Sequence, residues 1–271
     1  VQGNLLTTAA GFLLASQKHI KPGLLAATLA GTALIIASAC VVNNYLDRNI
    51  DRQMARTRQR ALVAGDIGVV AALGYAAVLG VAGLAILVAY VNLLTAGIGL
   101  FGWLAYVGLY SFMKRRSVHG TLAGTISGAT PPVAGYTAVT GRLDGAALLL
   151  FLILVCWQMA HFFSIAIYRF KDYKAAGLPV LPVVKGVGRA KRAIFLYASA
   201  FTAAALLLTV FGYTGGAYAV VVGLASIWWL QKAIQGPRTR DDTAWARQMF
   251  LRSLVVILIF SVSLAASPWL A

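Results

Sequence analysis

Apolar runs about as long as a bilayer is thick decide what this chain can become. They lie at about 3–16, 24–46, 67–90, 94–112, 120–140, 145–168, 191–211, 215–235 and 247–270, and the first looks cut short. Of 271 residues 60% are hydrophobic and only 11% are charged, which excludes a soluble domain with a large core. The expected fold is all-α: a polytopic membrane bundle of about nine transmembrane helices. No long polar linker interrupts it, so one domain is expected over 1–271. The chain begins at Val1 inside an apolar segment, so the true N-terminus is expected to lie further upstream.

Charge orients the bundle. The net charge of +16 would suggest nucleic acid in a soluble protein, but here the positive-inside rule accounts for it and no nucleic-acid partner is expected. Alternation of the runs assigns the loops 47–66, 113–119, 169–190 and 236–246 to one side. That side, with its flanks, holds every Lys and Arg except Lys18, Lys21, Arg142 and Arg252. It is therefore the cytoplasmic side. All the carboxylates are Asp, and only Asp144 lies away from that side. Cys40 and Cys156 sit inside apolar runs and read as small core residues, without a disulfide or zinc pattern.

The stretch NNYLDRNIDRQMARTRQR, 43–60, carries the densest chemistry. Asn43, Asp47 and Asp51 are spaced i, i+4, i+8. On a helix they stack on one face, each roughly 6 Å from the next. Two carboxylates and an amide make a hard oxygen site of the type Mg²⁺ prefers when it also holds a phosphate. Arg48, Arg52, Arg56 and Arg60 form a second column beside the acids, and metal plus guanidinium suits a diphosphate. Two other readings stay open on these residues: a solvated cap of i,i±4 ion pairs, and arginines touching anionic lipid heads. Asn43 speaks against a plain cap, because it should lie near the membrane, where polar groups are costly.

A second polar stretch runs from Trp157 to Gly186. Eleven residues separate His161 from Asp172, close to three turns, so Trp157, His161, Ser164, Tyr168 and Asp172 share a stripe if the helix continues. Such a stripe should face the bundle interior or a wet cavity. Trp157 and Tyr168 also fit ordinary packing or interfacial positions. His161 fits either an interhelical hydrogen bond or an iron- or proton-handling role. The helix should end near Gly177, with Pro179 and Pro182 forcing an extended loop that folds over a cavity mouth.

The span HGTLAGTISGATPPVAGYTAVTG repeats glycine at 120, 124 and 128, which permits close helix approach. Pro131 and Pro132 must break its hydrogen-bond ladder, and broken backbone at membrane depth is tolerated where protein buries it or a cavity is lined. Tight packing with a kink is the plainer reading. Lys114, Arg115 and Arg116 precede this span at the cytoplasmic rim, as topology determinants or phosphate ligands. The last three spans read as bundle closure, and Arg252 is left to snorkel or pair internally.

Together these stretches resemble the UbiA-type intramembrane prenyltransferases, most of all their haem-farnesylating branch. The NxxxDxxxD motif matches Asn43, Asp47 and Asp51; the GxxxGAxPPxxGY pattern matches Gly124 to Tyr136; YRFKDYKAAG to LPVLPVVKG matches the second acidic loop around Asp172. Asn44 stands where the wider superfamily often has Asp, and Ala176 stands where quinone-type members carry a second Asp. The resemblance implies an all-α bundle of about nine transmembrane helices around a central cavity. It implies Mg²⁺ held by Asn43, Asp47, Asp51 and Asp172, with Arg52, Arg56, Arg60, Lys114, Arg115, Arg169 and Lys171 around the diphosphate of farnesyl diphosphate. His161, Trp157, Tyr136 and Tyr168 would contact haem B, whose vinyl group would take the farnesyl group, with water added, to give haem O. A bacterial inner membrane, cytoplasmic active-site loops and haem-handling or terminal-oxidase assembly partners follow as expectations. The rival functions are prenyl transfer to a quinone or chlorophyll-type acceptor, haem or lipid transport, and a structural assembly subunit.

Overall fold

The computed structural model describes residues 1–53 and 57–270, and among these all regular structure is helical. The long elements are α1 (Gln2–Ser16), α2 (Pro22–Asp51), α3 (Val69–Tyr90), α4 (Leu93–Met113), α5 (Gly120–Gly128), α6 (Thr130–Thr140), α7 (Gly145–Tyr168), α8 (Val187–Val210), α9 (Gly216–Ile234) and α10 (Asp242–Leu270). Seven of them are long and apolar enough to cross a membrane: α2, α3, α4, α7, α8, α9 and α10. The other two expected spans are the 15-residue α1 and the pair α5–α6. Those two helices meet at Ala129, with Pro131 and Pro132 inside the first turn of α6, where a missing N–H costs least. The prolines thus break the span where the sequence requires.

Local chemistry sets the helix ends. Pro22 opens α2 behind an extended Lys21. Asp144 caps α7 by accepting from the backbone N–H of Ala146 and Ala147 at 3.0 and 3.2 Å. Asn92 caps α4 through Thr95 N–H at 2.8 Å, and its amide donates to Thr137 and Ala138 carbonyls on α6. The central part of α4, Ala105–Tyr110, is wound as a π-helix, a local widening that turns two tyrosines to one side.

The helices form a ring. α2 packs on α3, α4 on α5 and α6, α7 on α8 and α10, α8 on α9, α9 on α10, and α10 on α1. The α7–α10 side is filled by large buried rings and branched side chains, among them Trp229, Phe201, Phe260, Tyr218 and Ile153. Outward, apolar side chains stand bare on the spans, with Val70 at 87% and Val81 at 70% exposure on α3. Such a surface suits lipid rather than water. Lys191, buried on α8, donates to Asp242 and to the Gly236 carbonyl, tying α8 to the start of α10. Arg252 is paired internally: it donates to the Trp228 carbonyl at 2.6 Å and lies over that ring.

α1 lies on α6 at backbone contact. A Cβ on Gly135 would sit 1.9 Å from the Thr8 carbonyl oxygen, whereas one on Gly97 of α4 would meet nothing within 4 Å. Gly135→Ala is expected to destabilise the detergent-solubilised protein by about 1–3 kcal/mol, with Gly97→Ala as the neutral control. Equal unfolding midpoints for the two variants in a thermal scan would contradict this packing.

Candidate active site

α2 runs past the expected end at 46 and stops at Asp51. Asn43, Asp47 and Asp51 therefore do share one face, and all three line a polar pocket of about 460 Å³ at that end of the bundle. Asn43 and Asp51 are 6% and 4% exposed. Acids this deep need partners, and each has a cation. Lys114 donates to Asp47 Oδ2, and Arg115 donates to Asp47 Oδ1 at 3.3 Å. Arg60 donates to Asp51 Oδ2 at 2.6 Å. Oriented to satisfy its surroundings, the Asn43 amide donates to Asp47 Oδ2 at 2.9 Å, and its oxygen accepts from Lys114 Nζ at 3.0 Å. Burial pushes the Lys114 ammonium below the usual lysine range, against the opposing pull of its Asp47 hydrogen bond and charge.

The arginine column does not form. Only Arg48 lies on α2; Arg52 follows the helix as an exposed residue, and Arg60, beyond the helix, places its guanidinium on Asp51. Arg48 lies over the Tyr45 ring, 4.3 Å from its centroid. Arg56 lies outside the described residues. Lys171 is exposed and does not line the pocket.

The second stripe is corrected in the same way. α7 stops at Tyr168, Arg169 leaves the helix, and a short helix restarts at Phe170–Ala175. The break takes Asp172 out of the register of α7, and the stripe residues on α7 itself divide between two spaces. Tyr168, Arg169 and Asp172 line the polar pocket opposite α2, while Trp157 and His161 line a deeper apolar cavity of about 380 Å³. Ser164 bonds back to the Ala160 carbonyl and lines neither. Asp172 still comes to the site, by a loop rather than by helical register. The expected extended loop is shorter than the prolines suggested: Leu178 lines the polar pocket and Pro179 and Val180 line the space beside Lys114, but Pro182 sits in the first turn of a short helix, Leu181–Lys185, where a missing N–H costs least. Tyr136 is separated from the other three candidate haem contacts. It sits near the opposite end of the bundle, where its hydroxyl donates to Asp144 Oδ2 at 2.8 Å.

The two spaces share two walls. Tyr106 and Phe162 line both the polar pocket and the apolar cavity. Tyr106 stacks on Tyr110 with centroids 5.2 Å apart, and both belong to the π-helical stretch of α4. Sequence reasoning missed these tyrosines, because a π-helical register leaves no mark in AYVGLY. It also missed Ser111, whose hydroxyl lies 3.1 Å from the Asn43 amide. The glycine repeat seats this machinery. A Cβ at Gly120 would strike the Lys114 backbone, one at Gly124 the Tyr110 ring, and one at Gly128 the Gln158 amide.

Asn43, Asp47, Asp51 and Asp172 offer oxygen donors only. Among the described residues no group of three His, Cys, Asp or Glu forms a ready cage. Mg²⁺ requires none, since it binds through one or two carboxylates with phosphate oxygens and water. Lys114 and Arg60 already stand as cations on the two acids, so the donor set fits a metal that arrives with an anion to occupy those cations.

The UbiA prenyltransferase family model matches residues 4–255. "Protoheme IX farnesyltransferase 2" of Chromobacterium violaceum is 52% identical over 265 residues, covering 97% of this chain and 88% of that one. "Protoheme IX farnesyltransferase" of Photorhabdus laumondii is 50% identical over 267 residues, covering 98% and 91%. Among solved structures, a digeranylgeranylglyceryl phosphate synthase superposes with a TM-score of 0.83 at 16% identity, over 99% of this chain and 94% of that one. A UbiA homologue from Archaeoglobus fulgidus, bound to GPP and Mg²⁺, gives 0.72 at 16% identity, over 97% and 95%. These likenesses show the fold.

The ion pairs make metal and anion binding interdependent. Mg²⁺ affinity measured by calorimetry is expected to rise about tenfold when inorganic pyrophosphate is present. An affinity unchanged by pyrophosphate would contradict this arrangement of charges.

Proposed function

The chain belongs to the UbiA prenyltransferase family, and on that footing we propose that it transfers a farnesyl group from farnesyl diphosphate to a vinyl group of haem B, giving haem O. The observation that carries this reading is that the carboxylate pocket and the apolar cavity lie next to each other, with Tyr106 and Phe162 lining both. A diphosphate head belongs in the first space and an isoprenoid tail in the second.

Asp47, Asp51 and Asn43, with Asp172 opposite, are the residues that would hold Mg²⁺. Bound there, Mg²⁺ supplies charge neutralisation for the departing diphosphate. Lys114 and Arg60, drawn from the carboxylates to phosphate oxygens, add to that neutralisation, and Arg169 stands on the facing wall. Cleavage of the C–O bond leaves an allylic cation between the rings of Tyr106 and Phe162, whose faces favour positive charge. The apolar walls beyond exclude water until carbon–carbon bonding is complete. The haem vinyl group adds to the cation, and water then adds to give the hydroxyethylfarnesyl side chain. His161 and Trp157 are the proposed haem contacts.

The protein is an integral membrane protein, and we place its active-site loops on the cytoplasmic side of a bacterial inner membrane, in accord with the basic loops. Haem-handling or oxidase assembly proteins are its proposed partners.

Asp47→Ala is expected to lower product formation about a hundredfold or more while membrane insertion is kept. Mass analysis of the porphyrin after incubation with haem B, farnesyl diphosphate and Mg²⁺ reads this out, and a normal yield would end the assignment. Chelation by EDTA should stop turnover and added Mg²⁺ should restore it. His161→Ala should weaken haem binding in a titration and spare diphosphate binding; equal losses would remove His161 from the haem contacts.

A further inference from the structure

Ser253 on α10 holds two cavity residues at once. Its carbonyl accepts from Trp157 Nε1 at 2.8 Å. Its hydroxyl lies 2.7 Å from His161 Nδ1. The two rings so held stack with centroids 4.8 Å apart. Ser253 itself is wholly buried.

The hydroxyl carries one proton. The Phe250 carbonyl, 2.6 Å away on the preceding turn, can only accept, so the one arrangement that satisfies both contacts gives it the Ser253 proton. The oxygen can then meet His161 only as an acceptor, so Nδ1 carries the hydrogen. A neutral imidazole protonated at Nδ1 has its lone pair on Nε2. The other neighbours of the ring are Trp157, Phe162 and Phe250, and among these aromatics no acceptor competes for Nδ1. His161 is 8% exposed and lines the apolar cavity. Among the described residues Nε2 has no hydrogen-bond partner, and it is not among the buried atoms left unsatisfied.

We propose that Ser253 is a positioning residue that fixes His161 in the Nδ1–H tautomer and turns its Nε2 lone pair to the haem iron of the acceptor substrate. The inference rests on the reading of His161 as a haem contact and extends it. A hydroxyl is required at position 253. Alanine would fill the packing but leave Nδ1–H without an acceptor, and the ring would be free to turn or to change tautomer. The carbonyl holding Trp157 would survive that change, so the effect should fall on histidine.

The test is a haem B titration of purified wild type, Ser253→Ala, Ser253→Thr and His161→Ala, read by absorption and electron paramagnetic resonance of the ferric complex. Inorganic pyrophosphate binding in the carboxylate pocket, which neither His161 nor Ser253 lines, serves as the control for folding in each variant. Wild type should show a nitrogen-ligated spectrum. Ser253→Ala should bind haem about tenfold more weakly and lose part of that signature. Ser253→Thr should keep both, and pyrophosphate binding should be unchanged throughout. If His161→Ala loses the signature while Ser253→Ala keeps wild-type affinity and spectrum, the role of Ser253 is overturned. If His161→Ala changes neither, the haem contact itself is wrong, and the inference falls with it.

Discussion

Charge at the edge of a bilayer has to be matched on the spot, and the structure around Asp47 and Asp51 follows from that. Both acids sit at the end of a long apolar helix, where an uncompensated carboxylate is costly. The chain supplies Lys114 from the loop after α4 and Arg60 from the turn after α2. These contacts fix where two loops return, and Lys114 also lies 4.7 Å from the centroid of the Tyr110 ring. The close seating of α5 behind that group depends on Gly120 and Gly124. One electrostatic requirement thus positions a helix end, two loops and part of an aromatic wall.

The same matching is suited to chemistry. A carboxylate already neutralised by a lysine can exchange that partner for a metal only when the lysine has somewhere to go. A diphosphate provides the place. Binding and charge rearrangement are therefore linked, and empty sites need not carry bare negative charge. Beyond the charged pocket, past Tyr106 and Phe162, the cavity is lined by no Asp, Lys or Arg side chain. That sharp change in polarity is what an ionising isoprenoid requires, with its leaving group solvated by protein and its carbocation kept dry.

Much of this was legible in the sequence. Hydrophobic length announced the spans, and the i, i+4, i+8 spacing the acidic face, because α2 stays helical through Asp51. Register arguments failed where helices ended. The arginine column required α2 to continue beyond Asp51, and the His161–Asp172 stripe required α7 to continue unbroken beyond Tyr168; α2 ends at Asp51, and α7 ends at Tyr168 with a separate short helix restarting at Phe170. Asp172 nonetheless reached the pocket, by a loop path that periodicity does not describe. Tyr136 belonged to a motif but not to the cavity, because its hydroxyl pairs with the helix-capping Asp144. Tyr106 and Ser253 gave no signal, since a π-helical turn and a hydroxyl on an apolar helix look ordinary until neighbouring helices are placed.

The central claim is that one continuous space accepts a charged head at the α2 carboxylates and an apolar tail toward His161. A structure of the protein with a non-hydrolysable farnesyl thiodiphosphate and Mg²⁺ tests it most directly. The account predicts phosphate density against Asp47, Asp51 and Lys114, and prenyl density passing between Tyr106 and Phe162. Prenyl density lying instead on the lipid-facing groove between α2 and α3 would contradict it.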